Sequence, residues 1–442
     1  MFFSIIICKF AIWVLSLFGK GSSFPGAIAL KISPDILRKM KLPKRIIAVT
    51  GSNGKTSTTE LVFRLAEKTG GRVICNRAGS NQTQGIVTLF IKHSTLFGRV
   101  KADIAVIESD ERFCAHSFLH FTPEVIVVTN LFRDQMTRNG HNEFVFDQLK
   151  KGLPAQSTLV LNADDPLSAS LTAEHEYVLF FGVDPLVFCE EYGLEHACDD
   201  GEFCPVCRGT MEYAYRLHNH LGHYSCRHCD FARPDPVHSV TALTGRHFVV
   251  DGIFNVEPQL ISSMFAENLS AAFTVGMEVF GLAGEVIAEV LDGYILENGR
   301  LKRFTVGSHK GLFMLTKHEN ILAYDGAIET VVRSRSKEKT VVIIVDLLSR
   351  KYVANDMSWL WDIDFERLIN PRVKKIILSG DFAYDLAVRF DFAGIEPELI
   401  TVEPDIRAMT ASLGATAVGE IFVMTCFTDQ KKFLGRLKRG TV

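Results

Sequence analysis

Short runs of apolar, mostly β-branched residues recur along this chain, each closed by a polar loop that feeds a stretch with helical spacing. Ile46-Ile47-Ala48-Val49 is the first, followed by Ala105-Val106-Ile107, Val125-Ile126-Val127-Val128 and Thr158-Leu159-Val160-Leu161. Apolar runs without alternation predict strands covered on both faces, as in a parallel sheet flanked by helices. Helical spacing follows at Thr58 to Leu65 and returns at Ser263 to Phe280. A second set of strands, clearest at Thr340 to Val345 and Lys375 to Leu378, opens another α/β unit near Arg300. The expected fold class is α/β: a central doubly wound parallel sheet with a second, smaller C-terminal α/β domain.

The chain starts differently. Met1 to Phe18 is apolar except for Ser4, Lys9 and Ser16, and Ile28 to Met40 reads as a helix after a loop over 19–26. The first run falls short of the about 20 residues that a membrane span needs. Lys9 interrupts it, and neither a basic segment before it nor a small-residue cleavage site after it marks a signal. Three readings stay open: a packed first helix, a helix lying on a membrane surface, and a true span or signal.

A length of 442 residues favours two or three domains. A formal net charge of −3 gives no footprint for nucleic acid, so no such partner is expected. Four of the ten cysteines form two Cys-x-x-Cys pairs, while Cys8, Cys75, Cys114, Cys189, Cys198 and Cys426 are scattered among apolar residues. That usage fits a reducing, cytoplasmic compartment with one metal site and buried single thiols.

Thr50-Gly51-Ser52-Asn53-Gly54-Lys55-Thr56-Ser57 joins the first strand to the first helix of the sheet. A glycine-bearing loop opening a helix turns backbone N–H groups toward phosphates. Lys55 then faces the β/γ charge, and Thr56 supplies a hydroxyl for Mg²⁺. The loop lacks the glycine five residues before Gly54, where Val49 stands, so it is shorter than the common phosphate loop. An ordinary strand-to-helix turn is the alternative. Glu108 leaves a strand at the same rim and is the first candidate carboxylate for Mg²⁺; an acidic solvated loop is its bland reading. Asn76 to Asn81 and Asn130-Leu131-Phe132-Arg133-Asp134 follow strands in the same way.

Cys204-Pro205-Val206-Cys207 and Cys226-Arg227-His228-Cys229 are eighteen residues apart. Two such knuckles match a closed four-thiolate Zn²⁺ site, with a redox dithiol or chance pairing as alternatives. His218, His220, His223 and His228 lie nearby in sequence, but four thiolates already fill the shell.

Together, Thr-Gly-x-Asn-Gly-Lys-Thr at 50–56, the Glu108 loop, Asn130-x-x-Arg133-Asp134 and Asn162-Ala163-Asp164-Asp165-Pro166 resemble the central ATPase domain of Mur ligases and folylpolyglutamate synthases. The cysteine insertion and the segment Asn355 to Glu366, with Asp356-Met357-Ser358-Trp359, resemble the MurT-type subunit of lipid II isoglutaminyl synthases. The resemblance implies an N-terminal helical segment at 1–44, a Mur-ligase-like ATPase domain at 45–297 with a zinc ribbon at 198–231, and a C-terminal domain at 298–442. It implies ATP, Mg²⁺ and Zn²⁺ as cofactors. Gly51, Asn53, Gly54, Lys55, Thr56, Ser57, Asn130, Arg133 and Asn268 would hold the nucleotide, and Thr56 with Glu108 the Mg²⁺. Lys55, Glu108 and Asp356 would be catalytic.

The implied reaction is ATP-dependent amidation of the D-glutamate α-carboxyl of the lipid II stem peptide to D-isoglutamine, through an acyl phosphate. No cysteine sits in a Gly-x-Cys-x-Gly elbow, so ammonia would come from a separate glutaminase subunit, GatD-like, in a heterodimer. Asp356 would meet that partner; a helix N-cap ahead of Ser358 is its alternative. Lipid II as substrate makes contact with the inner face of the membrane an open addition. Three positions depart from the family: His318-Glu319 after Lys317, Tyr352 to Asn355 before Asp356, and Asp346 after the Val341 strand. An amino-acid ligase of Mur or folylpolyglutamate type, and a diverged nucleotide-binding scaffold, remain as alternative functions.

Overall fold

The computed structural model describes residues 1–18, 21–76, 80–135, 139–172, 175–185, 200–258, 263–294, 301–346 and 356–437. Arg77 to Gly79, Cys189, Cys198, the 297/298 boundary and Tyr352 to Asn355 lie outside them. Two units result. The first takes the described residues of Met1–Phe132, His141–Leu194 and Asp199–Ile295, and the second those of Arg133–Gly140 and Leu296–Val442.

The first unit is built on a nine-stranded sheet: β1 Arg45–Thr50, β2 Val73–Cys75, β3 Ile104–Glu108, β4 Val125–Val128, β5 Thr158–Asn162, β6 Val178–Val183, and, beyond a separate hairpin of β7 Met211–His218 and β8 Leu221–Cys226, β9 His238–Thr244, β10 His247–Val250 and β11 Phe254–Val256. Its order is β11-β10-β9-β6-β5-β4-β1-β3-β2. Along that order β2, β3, β1, β4, β5, β6 and β9 pair in parallel, and β9-β10-β11 is an antiparallel edge. The unbroken apolar runs are buried on both faces, as their lack of alternation requires. The chain leaves β1 toward β3 and β2 on one side and returns to β4 and β5 on the other. The C-terminal end of β1 is therefore a switch point, where a crevice opens for ligand. The register puts Val49 beside Glu108 and Thr50 beside Val128, so the three loops after β1, β3 and β4 meet there.

The apolar N-terminus forms a helix at Phe2–Ser16, and no described helix is long and apolar enough to cross a membrane. Its Ile5 and Cys8 join Ala29, Ile86 and Phe90 in the core of the first unit. The helix expected over 28–40 is instead two helices, Phe24–Ile32 and Ile36–Lys39. Pro34 is the cause: its ring disfavours helical backbone at Ser33, which adopts φ −143 and ψ 88. Of the scattered thiols, Cys8 and Cys114 are buried, while Cys75 and Cys426 are only half-buried.

Helix Phe24–Ile32 crosses helix Thr83–Lys92 at Gly26, whose N–H donates to Thr88 Oγ1 at 2.9 Å. A Cβ at Gly26 would lie 1.9 Å from the Gln84 carbonyl oxygen, which is backbone and cannot swing away. Gly26→Ala should therefore destabilise the protein by about 1–3 kcal/mol by forcing the helices apart. Urea unfolding measures this; a midpoint equal to that of the wild type would show that the crossing is looser than described.

The second unit carries a six-stranded sheet in the order β12-β13-β17-β14-β15-β16. These are Leu301–Val306, His309–Leu315, Glu420–Thr425, Lys339–Ile344, Val373–Ser379 and Ile400–Val402 in that spatial order. Only the β12–β13 pair is antiparallel. Trp359 is buried in this unit's core beside Tyr324 and Phe365, whereas Trp361 is exposed.

Candidate functional site

Strand β1 ends at Thr50 and helix Lys55–Lys68 begins five residues later. Two glycines make that turn possible. Gly51 has φ +123, and a Cβ there would meet Thr129 Oγ1 at 2.3 Å. Gly54 has φ +79, and a Cβ there would meet Asn268 Oδ1 at 2.3 Å. The loop is thus wedged between the exit of β4 and helix Ser263–Thr274. The wedge is hydrogen-bonded: Asn53 N donates to Asn130 Oδ1 at 3.0 Å, Ser52 N to the Asn130 carbonyl at 2.7 Å, and Thr58 Oγ1 to Asn268 Oδ1 at 3.1 Å. Ser57 lies in the first helical turn. First-turn N–H groups have no partner within their own helix and are the usual donors to an anion.

Lys55 is buried. Its Nζ donates to the carbonyls of Gly51 and of Ser52, the latter at 3.0 Å, and pairs with Glu111 Oε2 at 2.9 Å. Thr56 Oγ1 donates to Glu108 Oε2 at 2.8 Å. Glu108 is oriented in turn by Asn81 Nδ2 on Oε1 at 3.0 Å and by two backbone bonds with the Asn76 side chain at 2.8 Å. An ammonium, a hydroxyl and two carboxylates therefore converge where a helix N-terminus points. This arrangement suits a polyphosphate with a hard divalent cation.

Behind the loop stands a buried polar group that sequence reading missed. Glu267 Oε2 accepts from Asn130 Nδ2 and Asn162 Nδ2, both at 3.3 Å, and its Oε1 faces His218 Nε2 at 3.0 Å. His220 Nε2 lies 3.5 Å from Asp165 Oδ1, whose other oxygen accepts from Leu131 N at 2.7 Å. The His218 ring stacks on Phe132, and the His220 ring lies tilted against it. The two histidines form the tip of the β7–β8 hairpin and turn into the sheet rim, away from the cysteines. Next to them Asp164 pairs with Arg233 Nε at 2.6 Å; burial pushes the Asp164 carboxyl up to about 7 against the pull of that guanidinium.

At the other end of the hairpin, the Sγ atoms of Cys204, Cys207, Cys226 and Cys229 lie within 4.8 Å of one another. Val206 N, Gly209 N and His228 N point at the sulfurs of Cys204, Cys207 and Cys226 at 3.3–3.4 Å.

Comparison with known proteins bears on the family and the fold. The family model "Mur ligase middle domain" matches residues 49–217, and "MurT ligase C-terminal" matches 318–429. The subunit MurT of lipid II isoglutaminyl synthase (glutamine-hydrolyzing) of Staphylococcus aureus strain COL is 31% identical over 396 residues, covering 89% of this chain and 87% of its own length. The chain belongs to the MurT family. The subunit of the same name from Streptococcus pneumoniae is 29% identical over 435 residues, covering 95% of this chain and 93% of its own. Among solved structures, a pseudomurein peptide ligase type C from Methanothermus fervidus superposes with TM-score 0.69 at 18% identity, over 91% of this chain and 80% of that one. MurF ligase from Thermotoga maritima in complex with ADP follows with TM-score 0.59 at 17% identity, over 94% and 84%. These structural likenesses show a Mur-ligase-like fold.

In the second unit of this MurT-family chain, Arg133 faces Asp362 at 3.6 Å, so the motif Asn130-x-x-Arg133 is divided between the two units. Asp134 accepts from Lys317 Nζ at 2.5 Å and Asn320 Nδ2 at 2.9 Å. Asp356 is exposed and accepts from Ser358 N at 2.9 Å; that backbone N–H holds its carboxyl below the usual range. Asp356 thus holds the first residue of the turn Ser358–Asp362, whose N-cap position is Met357, and still presents a charge to solvent. Two departing positions are built in: His318 lies between Asp429 and Tyr324 at 3.3 Å each, and Asp346 pairs with Lys432.

Proposed function

We propose that this MurT-family chain is the ATP-dependent synthetase subunit of a lipid II isoglutaminyl synthase. It would amidate the D-glutamate α-carboxyl of the stem peptide to D-isoglutamine, with ammonia from a separate GatD-like glutaminase subunit in a heterodimer. The observation that carries the reading is the convergence of Lys55, Thr56 and Glu108 on one helix N-terminus, in a chain of this family.

A carboxylate oxygen of the substrate takes the γ-phosphoryl group and ADP leaves. Ammonia then attacks the acyl carbon, the phosphate departs with the C–O electron pair, and the nitrogen loses a proton. Lys55 and the first-turn N–H groups hold the phosphates in line and offset their charge, which is most of what a protein contributes to phosphoryl transfer. Asn130 fixes the loop through Asn53; Arg133 and Asn268 belong to the proposed nucleotide contacts. Thr56 and Glu108 offer adjacent oxygen donors, the ligand type of Mg²⁺, which when bound would neutralise phosphate charge. The cysteines fit Zn²⁺: a tetrahedron of sulfurs about 2.3 Å from zinc has edges of about 3.8 Å, and Cys204 and Cys229 stand 3.8 Å apart, Cys207 and Cys226 3.4 Å. A closed thiolate shell makes that site structural. Asp356, exposed and ionised, is the residue proposed to meet the glutaminase. The proposed domains are 45–297 for the ATPase, with the ribbon at 198–231, and 298–442 for the C-terminal domain.

The test is to incubate the chain with ATP, Mg²⁺, lipid II and ammonium at alkaline pH, where ammonia is nucleophilic. Mass spectrometry should find one hydroxyl of the stem peptide replaced by an amino group. Product formed only when an amino acid is added would make this an amino-acid ligase, and absence of ATP turnover in every mixture would leave a nucleotide-binding scaffold.

A further inference from the structure

Helix Phe2–Ser16 buries one stripe, Ser4, Ile5 and Cys8, against the rest of the first unit. A soluble protein normally makes the opposite stripe polar. Here the outward positions are Phe3, Ile6, Ile7, Phe10, Trp13, Ser16 and Leu17, so the exposed face is apolar except for Ser16 at its end. Phe3 is 75% exposed, Phe10 63% and Trp13 61%. The patch does not stop at the helix: Phe97, 80% exposed, stacks on Phe2 with centroids 5.8 Å apart. An aromatic-rich exposed surface of this extent marks a site of contact.

Charge indicates what makes the contact. Residues 1–44 contain seven Lys or Arg and a single acidic residue, Asp35, although the whole chain has a formal charge of −3. Further cations border the patch. Lys9 Nζ, on the helix, reaches the Lys92 carbonyl at 3.4 Å, and burial, with Lys101 nearby, holds its ammonium below the usual lysine range. Arg99, two residues beyond Phe97, is exposed, and its backbone pairs with that of Lys41. Aromatic and aliphatic side chains pointing outward, bordered by lysine and arginine, match the acyl boundary and headgroups of an anionic bilayer. The helix has 15 residues, short of the about 20 that span hydrocarbon.

We propose that the outward face of this helix, extended by Phe97, docks on an anionic lipid bilayer and lies in its surface. The proposal concerns membrane lipid in general and does not depend on the amidation reading.

The test uses the full chain and vesicles free of lipid II and ATP. Cosedimentation with phosphatidylglycerol–phosphatidylcholine vesicles should exceed that with phosphatidylcholine alone and fall as salt rises. Trp13 emission should shift to the blue on binding, and the Trp13→Phe variant should lose that shift. The combined variant Phe3→Ser, Phe10→Ser and Trp13→Ser should bind at least about tenfold more weakly, since each buried apolar group adds to partitioning. A control with Tyr384→Ser and Phe392→Ser, exposed in the second unit, should bind like wild type. These positions are exposed, and circular dichroism checks that the variants fold. Equal binding to neutral vesicles, or no effect of the triple variant, overturns the proposal. So does a self-associating chain that becomes monomeric in the triple variant without ever binding vesicles, because a second copy would then cover the face.

Discussion

Lys55→Ala should lower ATP turnover by roughly 10²–10³-fold, the usual cost of deleting one preorganised charge at a developing anion. The geometry gives reason to expect the upper end. Lys55 is held by the Ser52 carbonyl at 3.0 Å and Glu111 at 2.9 Å, so its position is set before any phosphate arrives. The same substitution takes a cation away from Glu111, whose side chain is only 4% exposed. A buried carboxylate that loses its partner destabilises by up to about 3–5 kcal/mol unless it protonates. Stability and catalysis can be separated on that basis. Lys55→Ala with Glu111→Gln should recover much of the thermal stability and none of the turnover, while metal content at the cysteines stays unchanged in both variants. Turnover within a few-fold of wild type in Lys55→Ala would mean that the phosphates lie elsewhere.

Local pattern carried the sheet and the loop. The run at 46–49 is part of β1: a short apolar run closed by a glycine-bearing turn fits a strand covered on both faces. Thr56 and Glu108 were paired as metal ligands from their places after two strands, and the fold brings them to 2.8 Å. Glu111 was harder to assign. In Glu108-Ser109-Asp110-Glu111 all the acids look alike, and only the turn after β3 decides which reaches Lys55. The two histidines were harder still. By sequence His218 and His220 are neighbours of the cysteines, but an eight-residue strand separates the knuckles from the tip, and β7 carries the rings to the opposite end. Glu267 left a weak trace: one acid in the apolar stretch Met264-Phe265-Ala266-Glu267-Asn268-Leu269, where burial demands a partner. The partners come from three distant segments, at 130, 162 and 218, which no local pattern links.

That distance gives the cysteine site a consequence beyond its own stability. The ribbon's core is small: Met211, Tyr213, Tyr224 and Ala169 pack around Cys204. So small a core would depend on the proposed Zn²⁺ for order. The tip is hydrogen-bonded to the sheet rim by Gly222 N on the Asp164 carbonyl at 2.9 Å, and it sets His218 Nε2 3.0 Å from Glu267 Oε1 and His220 Nε2 3.5 Å from Asp165 Oδ1. Glu267 holds Asn130, and Asn130 holds Asn53 in the phosphate loop. Stripping the metal with a chelator, or Cys204→Ser, should therefore lower the melting temperature and also reduce ATP turnover. A loss of about tenfold is expected, as coupling between linked sites is typically 5–150-fold. His218→Gln separates the two effects: metal content should stay at wild-type level while turnover falls, because the link to Glu267 is weakened with the knuckles intact. A chelated protein that melts earlier but turns over ATP at the wild-type rate would show that the rim holds the hairpin tip unaided and that the cysteines stabilise only themselves.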